Sequence, residues 1–295
     1  MLGRIISIVG ESDVVALARS RRVVSEPQSE SDAFRFEIEF LNVLRGTIDG
    51  AASHILMVRL VGRDTPLLSP DSVYLVFLES LEPSQPASRE WGLVEMSAPI
   101  LVHGEQRATY ISNMNEYVAL EAEKSDTQRL KDHLLRMLNS RIGFFERDAG
   151  LEARDIEDWS PDEIDQLIAI ARRDDERGPL AGLAREKVTI VIIRNGNRQQ
   201  VLPYVREELL AGNTSDAFWG FTTIEPAGAD SIVLEFLADA DVRVRTEAIR
   251  LAGLLRRGSI LDAVEEQTKI GPDDDETKAR LLRAIDEARA LVDRD

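Results

Sequence analysis

The chain contains no cysteine. Disulfide bonds, thiolate metal sites and a cysteine nucleophile are therefore excluded. The absence does not decide the compartment, because proteins of reducing and of oxidising compartments can both lack cysteine.

Long apolar runs are also missing, and none approaches the roughly 18 residues of a membrane span. The start, MLGRIISIVGESD, is too short and too soon acidic for a secretory signal. We therefore expect a protein without a membrane span that is cytoplasmic as the sequence stands. The alternative is an exported protein whose signal is not part of this sequence.

Basic residues are outnumbered, with 36 Lys and Arg against 53 Asp and Glu and a net charge of -17. Both halves of the chain share this acidic excess. Nucleic-acid affinity comes largely from a basic footprint, so we expect no nucleic-acid partner. A local cluster of arginines could still bind nucleic acid despite the acidic net charge.

The usual catalytic and metal-binding signatures are missing too. The three histidines, His54, His103 and His133, show neither helical metal spacing nor an HExxH pattern. No GxSxG elbow, Walker loop or GxGxxG follows a strand. The acids of GPDDDET, residues 271–277, are consecutive, which favours a helix cap over a calcium loop. We predict no catalytic residue, no cofactor and no metal site.

The chain's length and its periodicity indicate two domains. At 295 residues it exceeds one typical domain, and the apolar pattern changes from strand-like to helical at Lys124. We therefore predict an α+β protein with a barrel domain over residues 1–123 and an all-helical domain over residues 124–295. The low aromatic content of 5% suits a largely helical second half.

Short alternating segments dominate the first half. FRFEIEFLNVLRG places Phe34, Phe36, Ile38 and Phe40 on one face, and DVVALARSRRVV does the same with its Val and Ala residues. HILMVRLVG, SVYLVFLESL, WGLVEM, APILVHG and ATYIS continue the series between turn residues. Strands of this length and spacing predict a small antiparallel barrel or sandwich.

Helical signals dominate the second half. SDTQRLKDHLLRML follows a cap at Ser125 or Asp126, and Ser160 with Glu163 forms a capping box around Pro161. KVTIVII is rich in branched residues, but its helical neighbours favour a buried helix. The further helices are predicted at roughly residues 180–193, 198–210, 230–237, 242–255, 259–268 and 275–292.

The segment IVLEFLADADVRVRTEAIRLAGLLRR resembles a HEAT repeat, two helices joined by an acidic turn. The residues that carry the resemblance are Asp239, Asp241, Val244, Arg245, Ala248, Leu251 and Gly253. Asp241 can cap the second helix, and Arg245 can reach an Asp at the turn. Residues 201–210 and 276–292 match weakly as neighbouring units. The resemblance implies a HEAT-like or armadillo-like array, and an irregular helical domain is the alternative.

The first half resembles bacterial members of the netrin-like, OB-type barrels related to tissue inhibitors of metalloproteinases. The resemblance covers about residues 1–120 and is carried by ESDVVALARSRRV, FRFEIEFLNVLRG and SVYLVFLESL. It implies a fold more than an activity. The inhibitors of that family chelate a protease's zinc through an N-terminal cysteine, which this chain lacks, so zinc chelation is not implied.

The candidate binding residues lie in two places. SDAFWGFTTIEPAG, residues 215–228, is predicted to be a loop between helices, where Phe218, Trp219 and Phe221 either fill the core or form an exposed anchor for a partner. Arg243 and Arg250 belong to an arginine stripe that either contacts an acidic partner or pairs with neighbouring repeats.

Two binding architectures without a catalytic motif predict a non-enzymatic interaction or scaffold protein with a protein partner. One alternative is an enzyme, such as a hydrolase, with an unrecognised carboxylate site. Another is a small-ligand-binding barrel whose pocket is lined by Phe34, Phe36 and Tyr74.

Overall fold

The computed structural model describes residues 5–25, 33–48, 50, 53–59, 68–81, 88–94, 98–122, 127–173 and 182–292. They form two compact units, Met1–His133 and Leu134–Asp295. The α+β class is confirmed, with a barrel in the first unit and helices in the second. The predicted boundary at Lys124 and the predicted caps Ser125 and Asp126 lie outside the described residues.

Six strands, three α-helices and a short 3-10 helix (Gly104–Gln106) belong wholly or partly to the first unit as described. The strands are β1 (Val14–Ser25), β2 (Ala33–Arg45), β3 (Ser53–Arg59), β4 (Val73–Leu81), β5 (Ser88–Leu93) and β6 (Ile100–Leu101). The helices are α1 (Ile5–Glu11), α2 (Arg107–Ala122) and α3 (Thr127–Leu138), of which α3 contributes residues 127–133.

The first five strands close into a barrel in the order β1-β2-β3-β5-β4, and β4 returns to pair with β1. The β3–β5 pair is parallel, and the other pairs are antiparallel. This is the strand order of an OB-type barrel. Closure removes the open sheet edges that would otherwise invite pairing with other chains. The predicted small barrel is thus confirmed.

The barrel interior holds the predicted apolar faces of β1 and β2. The buried residues of this core that belong to those faces are Val14, Ala16, Ala18, Phe36 and Ile38. The outer faces of β1 and β4 are also buried, which explains the continuous apolar run in SVYLVFL. Helix α1 packs against β4 and α2, while α2 packs against β2, so this side of the barrel is covered by helices.

The prediction of a strand at ATYIS is wrong, because these residues lie in α2. Five residues are too few to separate the two periodicities. The buried residues Tyr110, Met114, Tyr117 and Leu120 recur every three or four positions, which is helical spacing.

Gly46 ends β2 where the chain passes close to the start of β1. Its φ is +80°, and a Cβ placed on it would lie 2.1 Å from the carbonyl oxygen of Asp13. A side chain is excluded there both by the backbone conformation and by the available space. The glycine of the VLRG sequence is therefore required for the barrel to close.

The second unit is a run of helices joined by short turns. They are α4 (Gly143–Asp155), α5 (Pro161–Arg172), α6 (Gly182–Asn195), α7 (Arg198–Leu210), α8 (Thr214–Phe221), α9 (Pro226–Leu237), α10 (Val242–Leu254), α11 (Gly258–Ile270) and α12 (Asp275–Val292). The predicted capping box of Ser160 and Glu163 begins α5, with Pro161 at its first position.

The helices form two layers. The even-numbered helices from α4 to α12 pack on one another in succession and are called the tight layer. Glycines permit the close approach of three of these pairs: Gly150 meets Ala184, Gly220 meets Ile193 and Gly253 meets Ala288. The odd-numbered helices from α5 to α11 are called the open layer, because successive members are less closely packed.

The branched run of α6 is helical, as predicted. Residues 188–193 are all buried, because α4, α5, α7 and α8 all pack against α6. Burial on all sides explains why the run lacks amphipathic spacing. Charged residues flank the run, and no helix of the described residues is long and apolar enough to cross a membrane.

Candidate functional site

The turn between α9 and α10 is ordered by its two aspartates. Asp241 accepts a 2.8 Å hydrogen bond from the Arg243 N–H and so caps α10. It also binds the Arg243 guanidinium, and these hydrogen bonds lower the pKa of Asp241 to about 2. Asp239 accepts the N–H of Asp241 at 2.8 Å. The acidic pair therefore determines how α10 follows α9.

Arginine–aspartate pairs connect successive helix pairs of the array. Arg206 of α7 binds both carboxylate oxygens of Asp239 at 2.7 and 3.1 Å. Arg245 of α10 binds both oxygens of Asp273 at 2.7 and 2.9 Å. The aspartate that Arg245 reaches is thus that of the following turn, between α11 and α12. The Arg245 hydrogen bonds lower the pKa of Asp273, so both groups stay charged near neutral pH.

The remaining residues of the repeat pattern lie inside the array. Val244, Ala248 and Leu251 are fully buried in α10, and Gly253 faces Ala288 of α12. These positions fill the space between α10 and its neighbours, and they are closed to a partner.

The aromatic segment is helical, so the prediction of a loop over residues 215–228 is wrong. It forms α8 and the start of α9, joined by a short turn. Phe221 is buried in the core and Phe218 is half-buried, whereas Trp219 is 49% exposed. The ring centres of Phe218 and Trp219 lie 5.0 Å apart. One aromatic residue thus fills the core while Trp219 faces solvent.

Arg243 and Arg250 lie on the exposed side of α10, with Glu247 between them at helical spacing. Glu247 accepts a 2.7 Å hydrogen bond from the Thr214 hydroxyl of α8. Arg250 lies 3.7 Å from Glu287 of α12. These contacts join the outer surfaces of the three helices.

We call this surface the α8–α10–α12 face. It includes the exposed side chains of Trp219 on α8 and of Arg243 and Arg250 on α10, whereas Phe218 is half-buried and Phe221 is buried. Tryptophan and arginine are among the residue types that dominate binding energy at protein interfaces. Both arginines are exposed, and the ion pairs that they make with the partly exposed Asp241 and Glu247 contribute little to stability, so these pairs can be exchanged on binding.

A polar cluster lies at the junction of α6, α7 and α8. Arg185 donates to the buried carboxylate of Glu208 at 2.8 Å, and Asn213 donates to the same carboxylate at 3.0 Å. Burial raises the pKa of Asp216, and the negative charge of Glu208 raises it further. Burial also raises the pKa of Tyr204. An enzyme that uses carboxylates would have Glu208 and Asp216 as its candidates here. The observed hydrogen bonds hold the ends of α6, α7 and α8 together.

The cavity described on the barrel has a different lining from the predicted Phe34, Phe36 and Tyr74. Phe36 is buried in the core, and the Tyr74 hydroxyl accepts a 2.9 Å hydrogen bond from the Ser69 N–H. A cavity of about 460 Å³ lies elsewhere on the barrel. Its lining consists of Arg21, Glu37, Ile38, Glu39, Phe40, Ile48 and His54. Phe40 was visible in the strand pattern, but nothing in the sequence places His54 beside it.

The three histidines occupy different environments. His54 lies edge-on to Phe40, with ring centres 5.0 Å apart, and His103 is exposed. His133 is buried, and its Nδ1 lies 2.8 Å from Glu116. Among the described residues, no group of three or more His, Asp or Glu side chains is placed to hold a metal ion. In GPDDDET, Asp274 accepts the Thr277 N–H at the start of α12, which is the predicted helix cap.

The resemblances of the two halves to netrin-like barrels and to HEAT repeats are carried by the residues quoted above. The structure adds a closed OB-type barrel and a stacked helical array. No family model, curated protein or solved structure matches the chain.

Proposed function

We propose that this protein is a non-enzymatic binding protein whose helical array holds a protein partner on the α8–α10–α12 face. The observation that carries the proposal is the exposure of Trp219, at 49%, on a helix held between α6 and α10. A tryptophan with about half of its surface exposed has apolar area to bury against a partner.

The rigidity of the surrounding helices supports this role. Close glycine contacts join α6 to α8 and α10 to α12, and the Thr214–Glu247 hydrogen bond joins α8 to α10. A side chain presented by such a packed support loses little further freedom on binding. The net charge of -17 supports a protein partner rather than a nucleic acid.

The HEAT-like character of the array is part of the proposal. It is supported by the cap at Asp241 and by the Arg206–Asp239 and Arg245–Asp273 pairs, which join each helix pair to the next. Contacts between neighbouring units are what stabilise a repeat array. The netrin-like character of the first unit is supported by its OB-type strand order.

Affinity capture tests the proposal. The full chain is immobilised, exposed to a lysate of the source organism and cross-linked, in parallel with Trp219→Ala and Leu234→Ala. Leu234 is the matched control, because it is a 50% exposed apolar residue of the open layer. We expect a specific partner that is retained by Leu234→Ala and lost with Trp219→Ala. Recovery of no specific partner, or equal recovery by both variants, refutes the proposal.

A second candidate function is capture of a small ligand by the barrel, favoured by the cavity of about 460 Å³. Its volume falls within the about 300–1,000 Å³ of ligand pockets, and Phe40 and His54 offer an aromatic wall and a polar group. Thermal-shift screening of a metabolite library tests it, with His54→Ala as the variant and exposed His103→Ala as the control. Ligand-induced shifts that survive His54→Ala argue against this site.

A further inference from the structure

A second cavity of about 450 Å³ opens between the helix pairs α9–α10 and α11–α12. It exists because α10 packs on α12 more closely than α9 packs on α11. Its aliphatic walls are Leu237, Ile249, Val264 and Leu281. The volume suits a ligand or several side chains of a bound segment.

An exposed aliphatic side chain lies at the mouth of this cavity. Ile270, at the end of α11, lines the mouth and is 81% exposed. It is the most exposed of the large apolar side chains described. Gln267 lies one helical turn before it and also lines the cavity. The polar residues Arg245, Thr268 and Asp273 also line the cavity, and its aliphatic part continues to the exposed Ile270, where a partner's side chain can enter.

The rim of the cavity is acidic. The lining residue Asp273 is followed by the exposed Asp274, Asp275 and Glu276. Among the nearby cations, Arg245 pairs with Asp273, Lys269 pairs with Glu265, and the positive charge of Lys278 also acts on Asp273. The rim therefore has excess negative charge, which attracts a basic partner and repels an acidic one.

We infer that this cavity, the α9–α12 cleft, binds a protein segment in which an aliphatic side chain is flanked by Lys or Arg. The aliphatic side chain enters beside Gln267 and Ile270, and the basic residues face Asp274 and Asp275. The inference rests on the proposed function as a binding protein and specifies the chemistry of one bound segment. The cleft is distinct from the α8–α10–α12 face.

A displayed library of random peptides is the probe for this inference. It is selected on the full chain, with depletion on Gln267→Trp, whose bulky side chain at an exposed lining position blocks the mouth. Enriched peptides are then measured against the wild type, Gln267→Trp, Ile270→Asn and Leu183→Asn. Leu183, at 41% exposure on α6, is the control, because it is exposed and apolar but does not line the cleft.

We expect enriched peptides to carry an aliphatic residue flanked by Lys or Arg and to weaken as salt is raised. Affinity should fall by about tenfold or more in Gln267→Trp and Ile270→Asn and stay unchanged in Leu183→Asn. If Gln267→Trp does not fold, Ile270→Asn still decides, because its side chain lies in solvent.

The inference is overturned if no peptide is enriched, if the enriched peptides lack basic residues, or if the variants bind like the wild type. Such a result leaves partner capture through Trp219 intact, since that measurement concerns another surface. Conversely, if affinity capture shows no dependence on Trp219 but peptides still bind the cleft, only the proposed binding face is refuted.

Discussion

Gly253 of α10 lies directly against Ala288 of α12, so that a Cβ added to Gly253 would stand 2.7 Å from the Ala288 Cβ and 2.8 Å from its carbonyl oxygen. The two helix backbones are therefore as close as the absence of a side chain permits. This contact sets the distance between α10 and α12 and thereby the spacing of their residues on the α8–α10–α12 face.

Gly253→Ala is expected to destabilise the protein, although alanine favours helices. The added methyl group overpacks the contact and should cost about 1–3 kcal/mol. Gly228→Ala is the matched control, because Gly228 lies in α9 with its nearest neighbouring atom 4.0 Å away. There alanine should stabilise by about 0.5–1 kcal/mol. Urea unfolding of both variants measures the difference, and equal effects would show that α10 and α12 are not so closely packed.

Gly46→Ala is expected to disrupt the barrel. Its positive φ costs about 1–2 kcal/mol for alanine, and the clash with Asp13 adds to this loss. Gly212 has a similar φ of +78° but no atom within 4 Å of an added Cβ. Gly212→Ala should therefore show the conformational cost alone. A loss of stability no larger in Gly46→Ala than in Gly212→Ala, measured by thermal unfolding, contradicts the closing contact.

Arg245→Met should weaken the array more than Arg206→Met does. Both arginines make bidentate pairs with an aspartate, but the side chain of Arg245 is 18% exposed and that of Arg206 is 42% exposed. Removing the more buried Arg245 deletes an ion pair whose guanidinium is less screened by solvent, at a cost of about 1 kcal/mol. The unfolding midpoint in urea orders the two variants, and the reverse order would contradict the burial of this pair.

Asp216→Asn is expected to stabilise the protein at neutral pH. Burial raises the pKa of Asp216, so its ionised form disfavours folding above that pKa and the penalty disappears as the carboxyl is protonated. The gain in Tm, about 1–3 °C, should therefore be present at pH 7 and shrink towards pH 4. Glu266→Gln, at an exposed position of α11, is the control. A gain that does not change with pH would mean that Asp216 ionisation is not its cause.

Much of the fold could be predicted because the buried faces of strands and helices place apolar residues at regular intervals in the sequence. The alternation from Phe34 to Phe40 predicted β2, and the capping box at Ser160 predicted the start of α5. The failure at ATYIS has a simple cause, since its helical period appears only over the longer stretch from Tyr110 to Leu120. The parallel β3–β5 pair was not predictable, because pairing depends on residues distant in sequence.

The candidate site was predictable only in part. The aromatic residues of α8 stood out, but Gly220 and Pro226 made the segment look like a loop. In the structure Gly220 lies against Ile193, and Pro226 begins α9, so both residues have helical roles. The partner of Arg245 lies 28 positions away at Asp273, and no local pattern identifies it.

Site-specific photo-cross-linking tests the central claim most directly. Benzoylphenylalanine replaces Trp219 in the full chain, and in a matched protein it replaces Ala169, an exposed residue of α5 in the open layer. After irradiation in a lysate of the source organism, we predict one discrete adduct from position 219 and none from position 169. Adducts of equal yield at both positions, or none at either, would contradict the assignment of partner binding to the α8–α10–α12 face.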